Sequence, residues 1–296
     1  MSNPRPIIFG EVLYDHFPDG SVVLGGAPFN VAWHLQAFGA SPLLISRVGN
    51  DQLGKNIQEA MTAWGMDTSG LQFDATHPTG TVDVSFTNGE PSYDIVKERA
   101  YDFIDSDGLP TMQQDSFLYH GSLALRHEVS RETLQGIRRD LAGLSFVDIN
   151  LRDPWWSMEL IEAILHDADM IKLNEDELLQ ITGHKDTDGH AVPDLLKKYN
   201  ARLLILTRGK AGADVYGATG DIIHVEPETT THVVDTVGAG DAFSSVLLYG
   251  QLLNWPIETC LRRAQHFASA IVGVRGATVS DIDFYRQFTN GWTAAI

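Results

Sequence analysis

The chain has 296 residues, of which 39 are acidic and 21 are Lys or Arg, giving a net charge of −18. A hydrophobic share of 43% and a charged share of 20% exclude a disordered or collagen-like chain. A polypeptide this long buries roughly three quarters of its extended-chain surface without staples. The acidity speaks against a nucleic-acid backbone or an anionic membrane as partner. The single Cys260 excludes a disulfide framework or a multi-cysteine metal site and suits a reducing compartment. The opening MSNPRPIIFG carries no basic start followed by a long apolar stretch, and no run of 18 apolar residues occurs, so a cytoplasmic protein is expected.

In chain order, short apolar runs alternate with helical patterns. Pro6–Phe9 reads as a buried strand ending at Gly10. Pro28–Phe38 reads as a helix with Pro28 in its first turn and Gly39 past its end. Leu43–Ile45 is the next strand and Gln52–Trp64 the next helix, closed by Gly65. Further strands are predicted at Phe117–His120, Ser145–Asp148, Met170–Leu173 and Leu203–Thr207. Helices are predicted at about Arg131–Ala142, Trp156–Leu165, Asp176–Thr182 and Pro193–Tyr199. This rhythm predicts an α/β fold, a doubly wound and mostly parallel sheet covered on both faces.

Two segments break the rhythm. Residues 11–24 alternate like strands around a Pro18-Asp19-Gly20 turn, and residues 79–105 read as two or three strands with an Asn88-Gly89 hairpin signal. Neither has a helical partner, so the two are expected to pair as a small β-sheet lid on a single domain over 1–296.

The strongest local signal is Asp235-Thr236-Val237-Gly238-Ala239-Gly240-Asp241-Ala242-Phe243, followed at once by a helix pattern. Small residues let the backbone turn tightly, and the first amides of the helix, at Ala239, Gly240 and Asp241, can point at an anion. An acid beside such a site suits a base for an attacking hydroxyl in phosphoryl transfer. On spacing alone, Asp241 reads equally as a helix-capping residue. Gly238-Ala239-Gly240 lacks the third Gly of a dinucleotide fingerprint, and Gly209-Lys210 lacks the rest of a P-loop.

The segment Asp235–Phe243 resembles the C-terminal signature of the ribokinase-like (PfkB) carbohydrate kinases. Gly25-Gly26-Ala27-Pro28-Phe29-Asn30-Val31-Ala32, with Val48-Gly49-Asn50-Asp51-Gln52-Leu53-Gly54, resembles the N-terminal signature. The two stand in the family's order, and the likeness covers essentially the whole chain, lid segments included. The resemblance implies a ribokinase-like fold and a kinase that uses ATP and Mg to phosphorylate a sugar or nucleoside hydroxyl. It implies Asp241 as base, with Gly238, Ala239 and Gly240 as the anion hole. It places Asn174 and Glu177 beside Mg and phosphate, Glu177 acting indirectly. Thr207, Arg208 and Gly209 fall beside the nucleotide, and His266 on a helix lining the adenine pocket. Asp15, Gly25, Gly26 and Asn30 fall in the sugar pocket, where glycines admit a polyol and Asp and Asn fix its hydroxyls.

Pro78-Thr79-Gly80-Thr81 and Ala100–Ile104 resemble bacterial fructokinase-type members, so fructose is the expected acceptor. Asp148-Ile149-Asn150-Leu151-Arg152 recurs in fructokinase- and ketodeoxygluconate-kinase-like sequences, and Arg152 is a candidate substrate contact. Ribose, ketodeoxygluconate or a nucleoside are the alternatives within the family, and a non-catalytic sensor is the alternative outside it. A monovalent cation such as K, held by Asp235, Val237, Gly276 and Ser280, is a further expectation, as is a homodimer through the lid edges.

Other features read as structural. The 11 His residues show no ligand spacing, and His127-Glu128 lacks a second His. Trp155-Trp156 reads as packing or a helix start, Lys97 and Arg99 as solvated lid charges, and Asp186–Gly189 as a surface turn lacking the later ligand of a calcium loop.

Overall fold

The structure is a computed structural model and describes residues 4–87, 90–184, 189–227 and 233–293. Its main sheet has nine strands in the order β13-β12-β11-β10-β9-β8-β1-β4-β5. The parallel part is β1 (Ile7–Phe9), β4 (Leu43–Gly49), β5 (Leu71–Asp74), β8 (Leu118–His120), β9 (Ser145–Asp148), β10 (Met170–Asn174) and β11 (Leu203–Thr207). β12 (Ala213–Gly217) and β13 (Ile222–Val225) extend one edge antiparallel.

Strand alternation divides the core in two. Ile7, Phe9, Ile171, Leu173, Leu204 and Leu206 face one way, under α3 (Glu128–Asp140), α4 (Met158–Leu165), α5 (Glu175–Thr182) and α6 (Ala191–Tyr199). Ile8, Met170 and Ile205 face the other way, under α1 (Ala27–Ala37), α2 (Gln52–Ala63), α7 (Ala239–Leu252), α8 (Ile257–Ile271) and α9 (Ile282–Thr293). Both faces are covered, which is why the parallel strands read as continuous apolar runs.

The helix expected from Gln52 starts there, and the other expected helices before α7 appear with shifted starts. α4 begins at Met158 rather than Trp156 because Ser157 caps it, its hydroxyl accepting from Leu160 N at 3.2 Å. Trp155 and Trp156 precede the helix, and the Arg126 guanidinium lies 4.5 Å from the Trp155 ring. α3 begins earlier than expected, at Glu128, capped by His127. The strands β5, β12 and β13 and the helix α9 were not expected.

The two arrhythmic segments pair as anticipated. β2 (Leu13–His16), β3 (Val22–Gly25), β6 (Gly80–Thr87) and β7 (Glu90–Ile95) form a separate four-stranded sheet in the order β3-β2-β6-β7. The Asn88-Gly89 turn lies outside the described residues, as do residues 186–188 of the Asp186–Gly189 turn. After β7 the chain runs into a single 3-10 turn, Ala100–Phe103, instead of a third strand.

Two partly buried polar clusters join this small sheet to the body. The Asp51 carboxylate caps α2 by accepting from Gly54 N at 2.9 Å, and also accepts from the amide and hydroxyl of Thr79 at 2.8 and 2.7 Å, just before β6. Arg126 donates to Asp102 at 2.7 and 2.8 Å and to Val96 O at 2.7 Å, fixing the chain where it leaves β7.

Among the described residues, no helix is long and apolar enough to cross a membrane.

Candidate functional site

In a doubly wound sheet, ligands gather outside the carboxyl ends of the strands where the strand order reverses. Here the chain builds outward from β1 through β4 and β5, then returns to β8 on the other side of β1. A cavity of about 330 Å³ lies at this end of the sheet. Glu11 enters it beyond β1, Asp148 and Asn150 from the end of β9, Asn174 from the end of β10 and Thr207 from the end of β11. Asp15 comes from β2, with Val82 and Ile95 from the small sheet, which forms one wall.

The glycine-rich segment closes the opposite wall. Gly238 is the N-cap of α7 with φ +79°, a left-handed conformation open to Gly. A Cβ at this position would lie 2.5 Å from Ala277 Cα, so the close approach also requires Gly. The carbonyl of Gly238 accepts from Ala242 N at 2.8 Å, the first regular bond of the helix. That leaves the first-turn amides of Ala239, Gly240 and Asp241 without α-helical acceptors. Ala239 N makes a long 3.4 Å bond to Thr236 O. The helix dipole adds partial positive charge at this point.

Asp241 sits in that first turn. Its Oδ2 accepts from Asn30 Nδ2 on α1 at 2.8 Å. Burial pushes its carboxyl up to about 6, the Asn30 bond opposing and the Asp148 charge adding to the rise. A carboxyl poised there is mostly ionised at neutral pH yet remains a competent proton acceptor. Burial also pushes Asp15 up to about 6, with Arg152 opposing.

The N-terminal glycines shape the facing wall. Gly26 has φ +108° and caps α1, and a Cβ there would meet Glu11 O at 2.7 Å. A Cβ on Gly25 would lie 3.2 Å from Asp15 Oδ2. Both positions leave backbone exposed beside a carboxylate and a carboxamide, an arrangement suited to hydroxyl groups.

Beneath α7 lies a buried polar hub. Lys172 Nζ donates to both oxygens of Asp148 at 2.9 and 2.8 Å, and Asp148 Oδ2 also accepts from Tyr119 OH at 3.1 Å and Ser244 Oγ at 2.7 Å. The hub pins α7 to β8, β9 and β10 one turn after Asp241. Asn174 and Glu177 form a capping box at the start of α5. Asn174 Oδ1 accepts from Glu177 N, and Glu177 Oε2 accepts from Asn174 N, both at 2.8 Å. Glu177 Oε1 accepts from Leu151 N at 2.9 Å. Both oxygens of this buried carboxylate therefore already carry backbone donors.

The cavity thus unites Asp15, Gly26 and Asn30 with Gly238, Gly240 and Asp241, and brings Arg152, Asn174, Glu177 and Thr207 to the same space. Arg152 is exposed at the rim. Gly25 and Ala239 back the walls without lining them. Arg208 is held outside by Asp214, Glu175 and Tyr216 at 2.6, 2.6 and 3.3 Å, and Gly209 turns beside it with φ +53°. His266 packs its ring on Phe288 at 5.2 Å, away from the cavity. Asp235 links two loops, accepting from Val237 N at 3.0 Å and Gly276 N at 3.2 Å, while Ser280 is exposed. Among the described residues, no group of three or more His, Cys, Asp or Glu comes together as a metal cage.

Sequence reasoning missed Glu11 and Lys172 as cavity residues, and Asp148 as the hub. Each lies close in sequence to an expected site residue: Glu11 four before Asp15, Lys172 two before Asn174, and Asp148 four before Arg152.

Comparison with known proteins agrees with this architecture. Residues 8–283 match the pfkB family carbohydrate kinase description. A fructokinase of Klebsiella pneumoniae is 33% identical over 263 residues, covering 84% of each chain. Among solved structures, fructokinase from Vibrio cholerae O395 in its fructose, ADP and calcium ion bound form superimposes with a TM-score of 0.83 at 26% identity, over 94% of this chain and 95% of that one. Aminoimidazole riboside kinase from Salmonella enterica, complexed with aminoimidazole riboside and an ATP analog, gives 0.83 at 26% identity over 96% and 99%. The nine-stranded doubly wound sheet with its small separate sheet is the ribokinase-like fold, and the chain belongs to the pfkB family of carbohydrate kinases.

Proposed function

We propose that the chain is an ATP-dependent fructokinase. The observation that carries this reading is the cavity in which Asp241 stands between the polyol-suited wall of Asp15, Gly26 and Asn30 and the first turn of α7, whose amides have no α-helical acceptors. The fructokinase relative and the fructose-bound structural neighbour support fructose as the acceptor.

The residues present fit a nucleotide with a divalent cation. The cavity wall carries Glu11, Asp15, Asp148, Glu177 and Asp241 against Lys172 and Arg152. An anionic nucleotide meets net repulsion there unless its charge is neutralised. Mg characteristically keeps several waters and takes one or two carboxylates plus substrate phosphates, which needs no protein cage. Glu177, with both oxygens engaged, would hold it through water, with Asn174 beside it. The bound pair supplies the phosphoryl group and the neutralising charge. Thr207, Arg208 and Gly209 border the nucleotide end. The Asp235 link to Val237 and Gly276 supports a loop able to hold K through backbone oxygens.

In this reading Asp15, Gly26 and Asn30 orient the acceptor with a primary hydroxyl toward Asp241. Asp241 takes the hydroxyl proton at Oδ1, while Oδ2 stays anchored by Asn30. The first-turn amides of α7, the anion hole with Gly238 as its cap, and Lys172 below them receive the charge that develops on transfer. The small sheet acts as a lid over the acceptor and excludes water. Among the described residues, its outer strands β3 and β7 have no strand on their far sides, which supports pairing of two copies there.

The test is ADP release across fructose, ribose, ketodeoxygluconate and nucleosides. The expected result is kcat/KM highest on fructose. Turnover confined to a nucleoside would instead favour the aminoimidazole riboside kinase likeness, and saturable sugar binding with no ADP release would mark a sensor.

A further inference from the structure

Glu11 follows β1 directly and is only 3% exposed, yet it lines the same cavity as Asp15, Asn30 and Asp241. Its Oε2 has no hydrogen-bond partner, and neither does Oδ1 of Asn30. Buried polar atoms in folded chains are nearly always paired, so two orphaned acceptors on one cavity wall suit hydroxyl donors of a bound ligand. Of the protein donors around Glu11, Tyr119 OH is committed to Asp148, and Arg126 uses Nε and Nη2 on Asp102, Tyr101 OH and Val96 O; its Nη1 is unpaired, and neither it nor Arg152 bonds Glu11 Oε2.

We infer that Glu11 is a specificity-determining residue of the acceptor site, its Oε2 receiving a hydrogen bond from one hydroxyl of the sugar while Asn30 Oδ1 receives another. The inference rests on the sugar-kinase reading of this cavity and adds a contact that the motif residues alone do not supply. The position is rigid: the Glu11 carbonyl packs against Gly26, so the side chain is placed by the same loop that opens the wall to a polyol. An acceptor lacking the matching hydroxyl leaves a buried carboxylate unpaired, which is a strong basis for rejection.

Without that donor the ionised form is disfavoured, and burial pushes Glu11 up to about 7. The charged and titratable groups facing it are Asp241 on α7, Arg152 after β9, Arg126 in the 3-10 turn Leu123–Arg126, Tyr101 in the turn Ala100–Phe103, and Tyr119 on β8. Acceptor binding is therefore expected to favour ionisation, and acceptor affinity to rise with pH through this range.

The test measures acceptor Kd by calorimetry, independent of turnover, for fructose and its singly deoxygenated analogues on wild type, Glu11→Ala and Glu11→Gln. The expected result is a loss of roughly tenfold to a hundredfold for Glu11→Ala on fructose, the scale of a hydrogen bond to a charged group. One deoxygenated analogue should show no further loss in that variant. Glu11→Gln, which keeps the volume, should bind fructose with an affinity that no longer rises near pH 7. Equal losses on fructose and every analogue would overturn the assignment, as would unchanged affinity in a folded Glu11→Gln with an unaltered pH dependence. Wild type that binds fructose but transfers no phosphoryl group would defeat the kinase reading while leaving the Glu11 contact measured. Wild type that binds no polyol would defeat both.

Discussion

Nδ2 of Asn30 donates to Oδ2 of Asp241 at 2.8 Å, joining the start of α1 to the start of α7 across 211 residues of sequence. The bond fixes one oxygen of the carboxylate and leaves the other for a ligand. It also favours the ionised form, opposing the rise that burial causes. Replacing Asn30 with Leu removes the donor, so the Asp241 pKa climbs further above about 6. The acid limb of kcat should then move to higher pH, with activity lost most at pH 6 and least at pH 8. Paired pH–kcat profiles check this, and superimposable limbs would contradict it.

Gly238→Ala tests the bend itself. The substitution places a Cβ within contact distance of the Ala277 backbone and puts Ala at φ +79°. Left-handed strain and overpacking together should cost about 2–4 kcal/mol of stability. Denaturant midpoints at unchanged m-value report the loss. A variant as stable as wild type would mean that the loop at Ala277 yields freely.

The Asp148–Lys172 pair is buried on both sides, at 4% and 6% exposure. Lys172→Met strands a carboxylate in the core and should destabilise by about 3–5 kcal/mol. Adding Asp148→Asn removes the stranded charge and should recover part of that loss. A double variant no more stable than Lys172→Met would show that the pair is not the source of the cost.

Removal of divalent cations by a chelator should abolish ADP release, because the cavity's carboxylates outnumber its cations. Readdition of Mg should restore it. Turnover undiminished in chelator would contradict the electrostatic argument for a neutralising ion.

Much of the fold is legible because its strands and helices carry clean periods. Ile7, Ile8 and Phe9 alternate between the two core clusters, as any strand buried on both faces must. The edge hairpin β12–β13 is harder to foresee. Asp214 interrupts its first strand, holding Arg208 and His224 at 2.6 Å each, and Ile222 in its second is 62% exposed. α9 hides its signal differently: Tyr285, Phe288 and Trp292 have helical spacing, but Asn290 and Gly291 break the run. The site divides in the same way. Gly238, Gly240 and Asp241 announce themselves because a tight helix start restricts residue type. Glu11, Asp148 and Lys172 come together only through tertiary pairing of β1, β9 and β10 with neighbouring strands, which no local spacing encodes.

The most direct test is Asp241→Asn, assayed for ADP release on fructose with calorimetric binding of the sugar alongside. Loss of a positioned general base costs about a hundredfold to ten-thousandfold in rate. The expected kcat is lower by at least about a hundredfold, with fructose Kd changed by no more than a few-fold. A kcat within tenfold of wild type in that variant would contradict it.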